Sequence, residues 1–310
     1  TKSASLVRLY RESSGAIVTG GHHLTTMRDT EMIAPIPYDM GLACLSHTPL
    51  YLWSQSIGPL DIKGAENKGF VARLLGAAKE LYVRESSSVP VVEDFGVDSK
   101  RVRKTYDSVF GLAGIYSDLR ESHERDDCMG VSLFFGNMRT QQEEDRYVEM
   151  MVGFVSAAHQ RGLSARFFPM EATPREYALI GRIEEGVPEA CVSIADTNVD
   201  TYAHMKEVSR CRFFLGHKTH SVVFALCTNT PLIALEYHPK TKEFMRLFGM
   251  ERFSITDTLA TQEWFEDALQ ALIEDEASLI EKIDEKNESV SETVIGDFEA
   301  MLTAIEGEGE

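Results

Sequence analysis

Positive charge is in short supply in this chain of 310 residues, where 31 Lys and Arg stand against 49 Asp and Glu, a formal net charge of −18. That balance repels phosphate backbones and so argues against nucleic acid or an anionic membrane surface as a partner. Much of the excess acid lies between Glu263 and Glu310, where it reads as solvated helix faces and a frayed GEGE tail. The five cysteines (Cys44, Cys128, Cys191, Cys211, Cys227) are odd in number and show no CxxC spacing. A disulfide framework or structural zinc site is therefore disfavoured, and buried thiols in a reducing compartment are expected. No HExxH is present either, and no metal is expected. No apolar run approaches the ~20 residues that a membrane span needs, and no secretory signal stands at Thr1. The chain starts at Thr1 rather than Met and enters a strand pattern by Ser14, which sets up the expectation of a removed upstream segment.

What is present is alternation. A hydrophobic content of 43% with both signs of charge describes a folded globular protein, and the length exceeds what one core usually serves, so two domains are expected. In the first half, strand patterns at Ser14–Thr19, Pro49–Ser56 and LYVRES interleave with helical patterns at Asn67–Lys79 and Ser87–Phe95, before a short strand in VRKTYDSVF. SDLRESHERDD, between Gly111 and Asp127, breaks the pattern and reads as a linker. Beyond it come strands MGVSLFF, SARFFPM and ACVSIAD with helices at Gln141–Gln160, Pro174–Glu185 and Tyr202–Ser209. The FF pairs at 134–135, 167–168 and 213–214 read as buried strand residues, and Trp53 as core. Acidic helices at Gln262–Asp275 and Leu279–Ile305 end the chain. Repeated β then α gives parallel sheets. The expected architecture is α/β, two Rossmann-like halves facing a cleft: an N-terminal domain over 1–125 and a C-terminal domain over 126–310.

The most informative stretch is GHKTHSVVFALCTNTPLIALEYHPKTKEF, Gly216 to Phe244. FFLG is a buried strand, THSVVFALC a short helix, Asn229-Thr230-Pro231 its stop and PLIALEY a second buried strand, hence a βαβ unit. His217, Lys218 and His220 then fall where a strand gives way to a helix, and Glu236, His238 and Lys240 follow the next strand. Ligands of open α/β sheets sit at those strand ends, and N–H groups at a helix start favour anions. The duller alternative is that loop ends are polar because they face water. His217 and His220 are also spaced to share one helical face as metal ligands, but a third ligand is missing.

These segments resemble the polysaccharide pyruvyl transferase family, in the family's order, from about Gly15 to Phe253. GGHHL is similar to the glycine-rich turn after an early strand, QSIGPL to a (G/S)-x-GP segment and LYVRESSS to V-R-(D/E)-x-x-S. TYDSVF is similar to D-x-x-F, VSLFFGNMRT to the strand that opens the second domain, and RFFPM to an (I/F)PM turn. The Gly216–Phe244 stretch is similar to (S/M)-R-L-H-x-x-x-x-A-L followed by Y-x-P-K. Two departures stand out: Lys218 replaces the family Arg, and His22 replaces a third glycine.

The resemblance implies a GT-B-like fold and transfer of a pyruvyl group from phosphoenolpyruvate to two hydroxyls of one sugar, giving a cyclic ketal and phosphate. Phosphoenolpyruvate is then a co-substrate and no cofactor is implied. His220 matches the signature histidine and is the expected general acid at the donor methylene. Glu236 would orient it or accept a sugar proton. Lys218, with His217 and Lys240 beside it, would neutralise phosphate or carboxylate, and Arg139 would clamp either bidentately. Gly20 and Gly21 would allow close backbone approach of a ligand, with His22 and His23 contacting the acceptor, a glycan or lipid-linked oligosaccharide. Arg84, flanked by acids, reads as an ion pair with Glu85 or Asp107. A GT-B glycosyltransferase using a nucleotide sugar and a non-catalytic binding module are the alternatives. The cytoplasm is the expected compartment, with attachment at the inner membrane or a Golgi lumen as variants, and a homo-oligomer is left open.

Overall fold

The computed structural model describes residues 2–26, 36–121, 124–188 and 191–307, without the side chains of 2–4, 22–23 and 36–37. The chain divides into two compact units, Thr1–Gly111 with Val290–Glu310, and Leu112–Ser289.

In the first unit the order is α1 (Lys2–Glu12), β1 (Ala16–Val18), β2 (Gly21–Leu24), α2 (Ile36–Leu45), β3 (Leu50–Ile57), α3 (Ala65–Ala77), β4 (Ala78–Val83), α4 (Ser88–Asp94) and β5 (Val102–Lys104). Its five-stranded parallel sheet runs β1-β3-β4-β5, with β2 also pairing β3. Every residue of β3 (LYLWSQSI) is buried, as suits a central parallel strand, and its polar Ser54, Gln55 and Ser56 are hydrogen-bonded. β1 pairs the first half of β3 (Ala16↔Leu50) and β2 the second (Gly21↔Gln55). The break between them is bridged by the buried Gln55 amide, which donates to the carbonyls of Val18 (3.0 Å) and Thr19 (2.8 Å). The helices α1 and α2 were not among the expected elements. Leu6, Val7 and Tyr10 give α1 only a half-buried stripe, which packs on α2.

The second unit contains α5 (Leu112–Ile115), β6 (Asp126–Val131), α6 (Gln141–Gln160), β7 (Ser164–Phe167), α7 (Pro174–Glu185), β8 (Val192–Ile194), α8 (Thr201–Ser209) and β9 (Cys211–Gly216). It continues with α9 (Thr219–Cys227), β10 (Leu232–Glu236), α10 (Pro239–Leu247), β11 (Ser254–Thr256), α11 (Gln262–Glu274) and the start of α12 (Glu276–Gly307). The six strands lie in the order β11-β10-β9-β6-β7-β8, all parallel. Counted within the unit this is 3-2-1-4-5-6 read from the other edge, so the winding reverses between β6 and β9. α6 packs on α7 and α11, α9 on α8 and α10, two helical layers that reversed right-handed crossovers set on opposite faces. Thr140 and Glu143 form a capping box on α6, and Thr173 with Pro174 starts α7, which fixes both helix starts where the sequence puts them.

Two expectations about organisation change. The SDLRESHERDD segment is anchored to the second unit: Arg125 donates to Cys211 O (3.0 Å), Thr230 Oγ1 (3.0 Å) and Asn229 O (3.1 Å), and Arg120 pairs with Asp284. The division therefore falls after Gly111 instead of after residue 125. The last helix is not wholly a C-terminal-domain element either. Phe298 packs on Trp53 (ring centroids 5.1 Å) and a Cβ on Gly15 would meet Ile305 at 2.9 Å, which ties residues 290–310 to the first unit. No disulfide joins the five cysteines among the described residues, and four of them are buried.

The switch between β6 and β9 depends on one glycine. A Cβ at Gly130 would stand 2.4 Å from the ring of Phe214, on the adjacent strand, and 3.1 Å from Phe168. Both rings are fully buried and cannot retreat. Gly130→Ala should therefore cost about 2 kcal/mol or more through overpacking, read as a lowered midpoint in guanidinium unfolding. An unchanged midpoint would show that the strand pair relaxes freely.

Candidate active site

In the first unit, the motif segments meet in a buried polar network at the carboxyl ends of the strands. Arg84, at 7% side-chain exposure, pairs with Asp107 and Glu85 and donates through Nε to Ser56 Oγ (2.6 Å). Ser88 Oγ accepts from Ile57 N (2.9 Å), and Ser54 Oγ accepts from Ser108 N (2.8 Å) while donating to Tyr106 O (3.1 Å). QSIGPL, LYVRESSS and TYDSVF are thus stitched to one another, and Arg84 is structural. Gly20 belongs to the same fabric. A Cβ there would lie 3.2 Å from Ser108 Oγ and 3.3 Å from Ser54 O, so the protein's own chain uses the close approach that glycine allows. Gly21 pairs with Gln55 in the sheet. The side chains of His22 and His23 lie outside the described residues.

In the second unit, the turn after β9 sits at the winding reversal. Ser132, the residue after β6 and fully buried, accepts at Oγ from the N–H groups of His217 (3.1 Å) and Lys218 (3.3 Å) and lies 2.5 Å from Ser221 Oγ. Ser221 Oγ donates to Lys218 O (2.7 Å). Lys218 is the N-cap residue of α9, so its ammonium stands at the positive end of that helix. The ammonium pairs with Glu171 and lies 5.4 Å from the Phe134 ring centroid. Glu171 is delivered by the loop after β7, which the buried Glu176 carboxylate organises by accepting from the N–H groups of Met170 (3.0 Å), Glu171 (2.9 Å) and Ala172 (2.8 Å). Loops after β6, β7, β9 and β10 converge here, since Phe134 stacks on Tyr237 at 3.6 Å. Thr219 Oγ1 donates to Tyr237 OH (3.1 Å).

His220 occupies the first turn of α9 and is exposed. Glu236 is half-buried at the end of β10, the strand beside β9. Lys240 lies in the first turn of α10, its N–H donated to His238 Nδ1 (3.2 Å), so it starts a helix. Three placements differ from expectation. Arg139 does not end a strand: β6 stops at Val131, and Arg139 is exposed in the turn that caps α6, its N–H donated to Glu143 Oε2 (2.7 Å). No hydrogen bond or ion pair among the described residues brings its guanidinium to Lys218. Phe134 is half-buried in a loop rather than a buried strand residue, and Phe135 and Phe168, though buried, also lie beyond the ends of β6 and β7.

His217 is the third. It is only 2% exposed, precedes α9 rather than sharing its face with His220, and is engaged at both nitrogens: Nδ1 lies 2.9 Å from Tyr147 OH and Nε2 3.4 Å from Asp257 Oδ2. Both ring nitrogens are thus engaged within the protein rather than presented to a substrate. The groups missed in the sequence, Ser132, Tyr147, Glu171 and Asp257, are ordinary residue types in unremarked positions; only the strand end at Ser132 carried a signal, through the switch-point rule.

Burial pushes the His217 imidazole below its ordinary value, with Lys218 adding to the shift and Asp257 opposing it. Burial lowers His204 as well. The hydrogen bond from His217 holds the Asp257 carboxyl below the carboxylate range. Both imidazoles bind protons more readily unfolded than folded, so stability rises with pH across the interval below ~6.5 and is lost on acidification. Asp257 adds a loss of the same sign only below its own range near 4. Unfolding free energy should fall between pH 7 and 5, and His217→Gln should flatten that slope; a slope unchanged by the substitution would remove His217 as its source.

The family model for polysaccharide pyruvyl transferase matches residues 2–239. No curated protein matches the chain at a significant level. Among solved structures, UDP-GlcNAc 2-epimerase from Neisseria meningitidis bound to UDP-GlcNAc is similar at 10% identity and a TM-score of 0.65, over 97% of this chain and 79% of that one. The Methanocaldococcus jannaschii UDP-GlcNAc 2-epimerase shares 10% identity with a TM-score of 0.60, over 87% and 74%. Anabaena HepE in complex with UDP shares 11% identity with a TM-score of 0.56, over 98% and 81%. At such identities these likenesses concern the fold alone, which is GT-B-like with parallel Rossmann-type sheets. No helix among the described residues is long and apolar enough to cross a membrane. With the match running through both units and past the Gly216–Glu236 βαβ segment, the chain belongs to the polysaccharide pyruvyl transferase family.

Proposed function

We propose that this protein transfers a pyruvyl group from phosphoenolpyruvate to two hydroxyls of a sugar on a glycan or lipid-linked oligosaccharide. The observation that carries the reading is the cation Lys218 at the N-cap of α9, one residue from Thr219 and two from His220, at the winding reversal of the second unit. Such a position suits the phosphate or carboxylate of an enol phosphate. Lys218 has to exchange Glu171 for the donor anion, and Lys240 and Arg139 are secondary candidates for the donor's second anionic group.

The chemistry balances with the residues at hand. Protonated His220 gives its proton to the methylene carbon, leaving C2 cation-like. A sugar hydroxyl attacks C2 and its proton returns to His220. The C2–O bond to phosphate then breaks, and the second hydroxyl closes the ring while Glu236 takes its proton and hands it to the departing phosphate. One C–H, two C–O and one phosphate O–H bond form, and the enol π bond, one C–O bond and two sugar O–H bonds are lost. His22 and His23 remain the proposed acceptor contacts in the first unit. No cofactor enters these steps.

The test is phosphate release from phosphoenolpyruvate with galactose- or mannose-type acceptors, paired with mass spectrometry of the glycan for a pyruvate ketal. His220→Ala should lower kcat about a hundredfold or more, as loss of a general acid does, whereas Lys218→Ala should act mainly on KM. Phosphoenolpyruvate should raise the melting temperature where UDP- and GDP-sugars do not. Stabilisation by a nucleotide sugar without phosphate release would replace this reading with glycosyl transfer.

A further inference from the structure

Lys218 stands where the signature that this stretch resembles has Arg. A guanidinium is a rigid planar fork, whereas an ammonium on a four-carbon stem must be held by its surroundings to present one charge at one point. The structure supplies such a hold. The Lys218 ammonium lies 5.4 Å from the Phe134 centroid, and the Phe134 ring meets the His217 ring edge-on at 5.5 Å. Phe134 N–H is donated to Tyr147 OH (3.2 Å), and that hydroxyl lies 2.9 Å from His217 Nδ1.

The proton directions in this chain follow from its ends. Asp257, whose Oδ1 accepts from Thr258 N (2.7 Å), can only accept when ionised, so Nε2 of His217 carries the hydrogen that faces Oδ2. Nδ1 of the uncharged ring is then bare and takes the hydroxyl proton of Tyr147, which itself accepts from Phe134 N–H. Each of these polar groups has a partner within the chain, and His217 and Tyr147 are shielded at 2% and 7% exposure while the Asp257 side chain, at 22%, forms the wetter end.

We infer that Tyr147, His217 and Asp257 are a positioning set that holds Phe134 and the turn at 217–218 so that the Lys218 ammonium meets an anionic donor. The set works through Lys218 and does not touch the substrate, and it rests on the reading of Lys218 as the donor's anion contact. Because Lys218 binds the anion alike in ground and transition states, weakening the set moves KM and leaves kcat near its wild-type value. His220 variants move kcat instead.

The experiment uses the full chain and inorganic phosphate as the probe, titrated calorimetrically, alongside phosphoenolpyruvate turnover. Tyr147→Phe keeps the ring and removes the hydroxyl, so phosphate Kd and donor KM should each rise about tenfold, one buried hydrogen bond's worth, at nearly constant kcat. Asp257→Asn, at the wetter end, should shift both in the same direction by a smaller factor and serves if Tyr147→Phe fails to fold. Nitrogen-15 NMR of the wild type at pH 7 should show His217 as the neutral Nε2–H tautomer. An Nδ1–H tautomer or an imidazolium, a lowered melting temperature with unchanged phosphate Kd, or no phosphate binding by the wild type would each overturn the inference. If phosphate binds and weakens as stated while phosphoenolpyruvate is not consumed by the wild type, the functional reading fails and the positioning set stands.

Discussion

A single hydroxyl, that of Ser132, holds the end of β6 to the beginning of α9, the helix that follows the neighbouring strand β9, and the candidate site is organised around it. At the place where the sheet of the second unit reverses its winding, Ser132 accepts two consecutive N–H groups and meets the hydroxyl of Ser221. Parallel strands leave their carboxyl ends open, and a reversal opens a gap between neighbouring crossovers there. Filling that gap with a buried serine instead of an apolar side chain gives the backbone of His217 and Lys218 a fixed address. The N-terminus of α9 inherits it, and with it the direction in which residues 218 and 220 leave the main chain.

The two units use their polar residues differently. In the first, Arg84 is spent on Ser56 and Asp107, and Ser54 and Ser88 on backbone groups of neighbouring segments, so their spacing in sequence records how three strand ends are tied. In the second, the polar groups after β9 are held at the backbone and leave Lys218 and His220 at the margin of the fold. A chain with 18 more acidic than basic side chains can still hold a local cation against the positive end of a helix when an aromatic face and a carboxylate support it, as Phe134 and Glu171 do for Lys218.

How much of this was legible in sequence depended on the range of the interaction. The limits of α6 and α7 are written locally, in Thr140 with Glu143 and in Thr173 with Pro174, and the βαβ of Gly216–Glu236 in its apolar runs and its Asn229-Thr230-Pro231 stop. α1 was missed because its stripe of Leu6, Val7 and Tyr10 is weak and only half-buried, and α2 because Ile36–Leu45 is nearly apolar throughout and shows no amphipathic period. The setting of His217 was out of reach for another reason. Tyr147 and Asp257 are 70 and 40 residues away and meet it only because β6, β9 and β11 belong to one sheet. A histidine beside a lysine in a polar turn looks like a ligand; burial of its ring is decided by the neighbours. Phe134 was misplaced by a simpler error, since the apolar run continues beyond the last paired residue of its strand, Val131.

The allocation of the last helix has a consequence for synthesis. Residues 112–289 contain a complete six-stranded sheet, whereas the unit that begins at the N-terminus also requires residues 290–310. Trp53 emerges from the ribosome long before Phe298, its packing partner. In the order of synthesis the first unit is therefore completed only after the second has been translated, and Trp53 waits until then for Phe298.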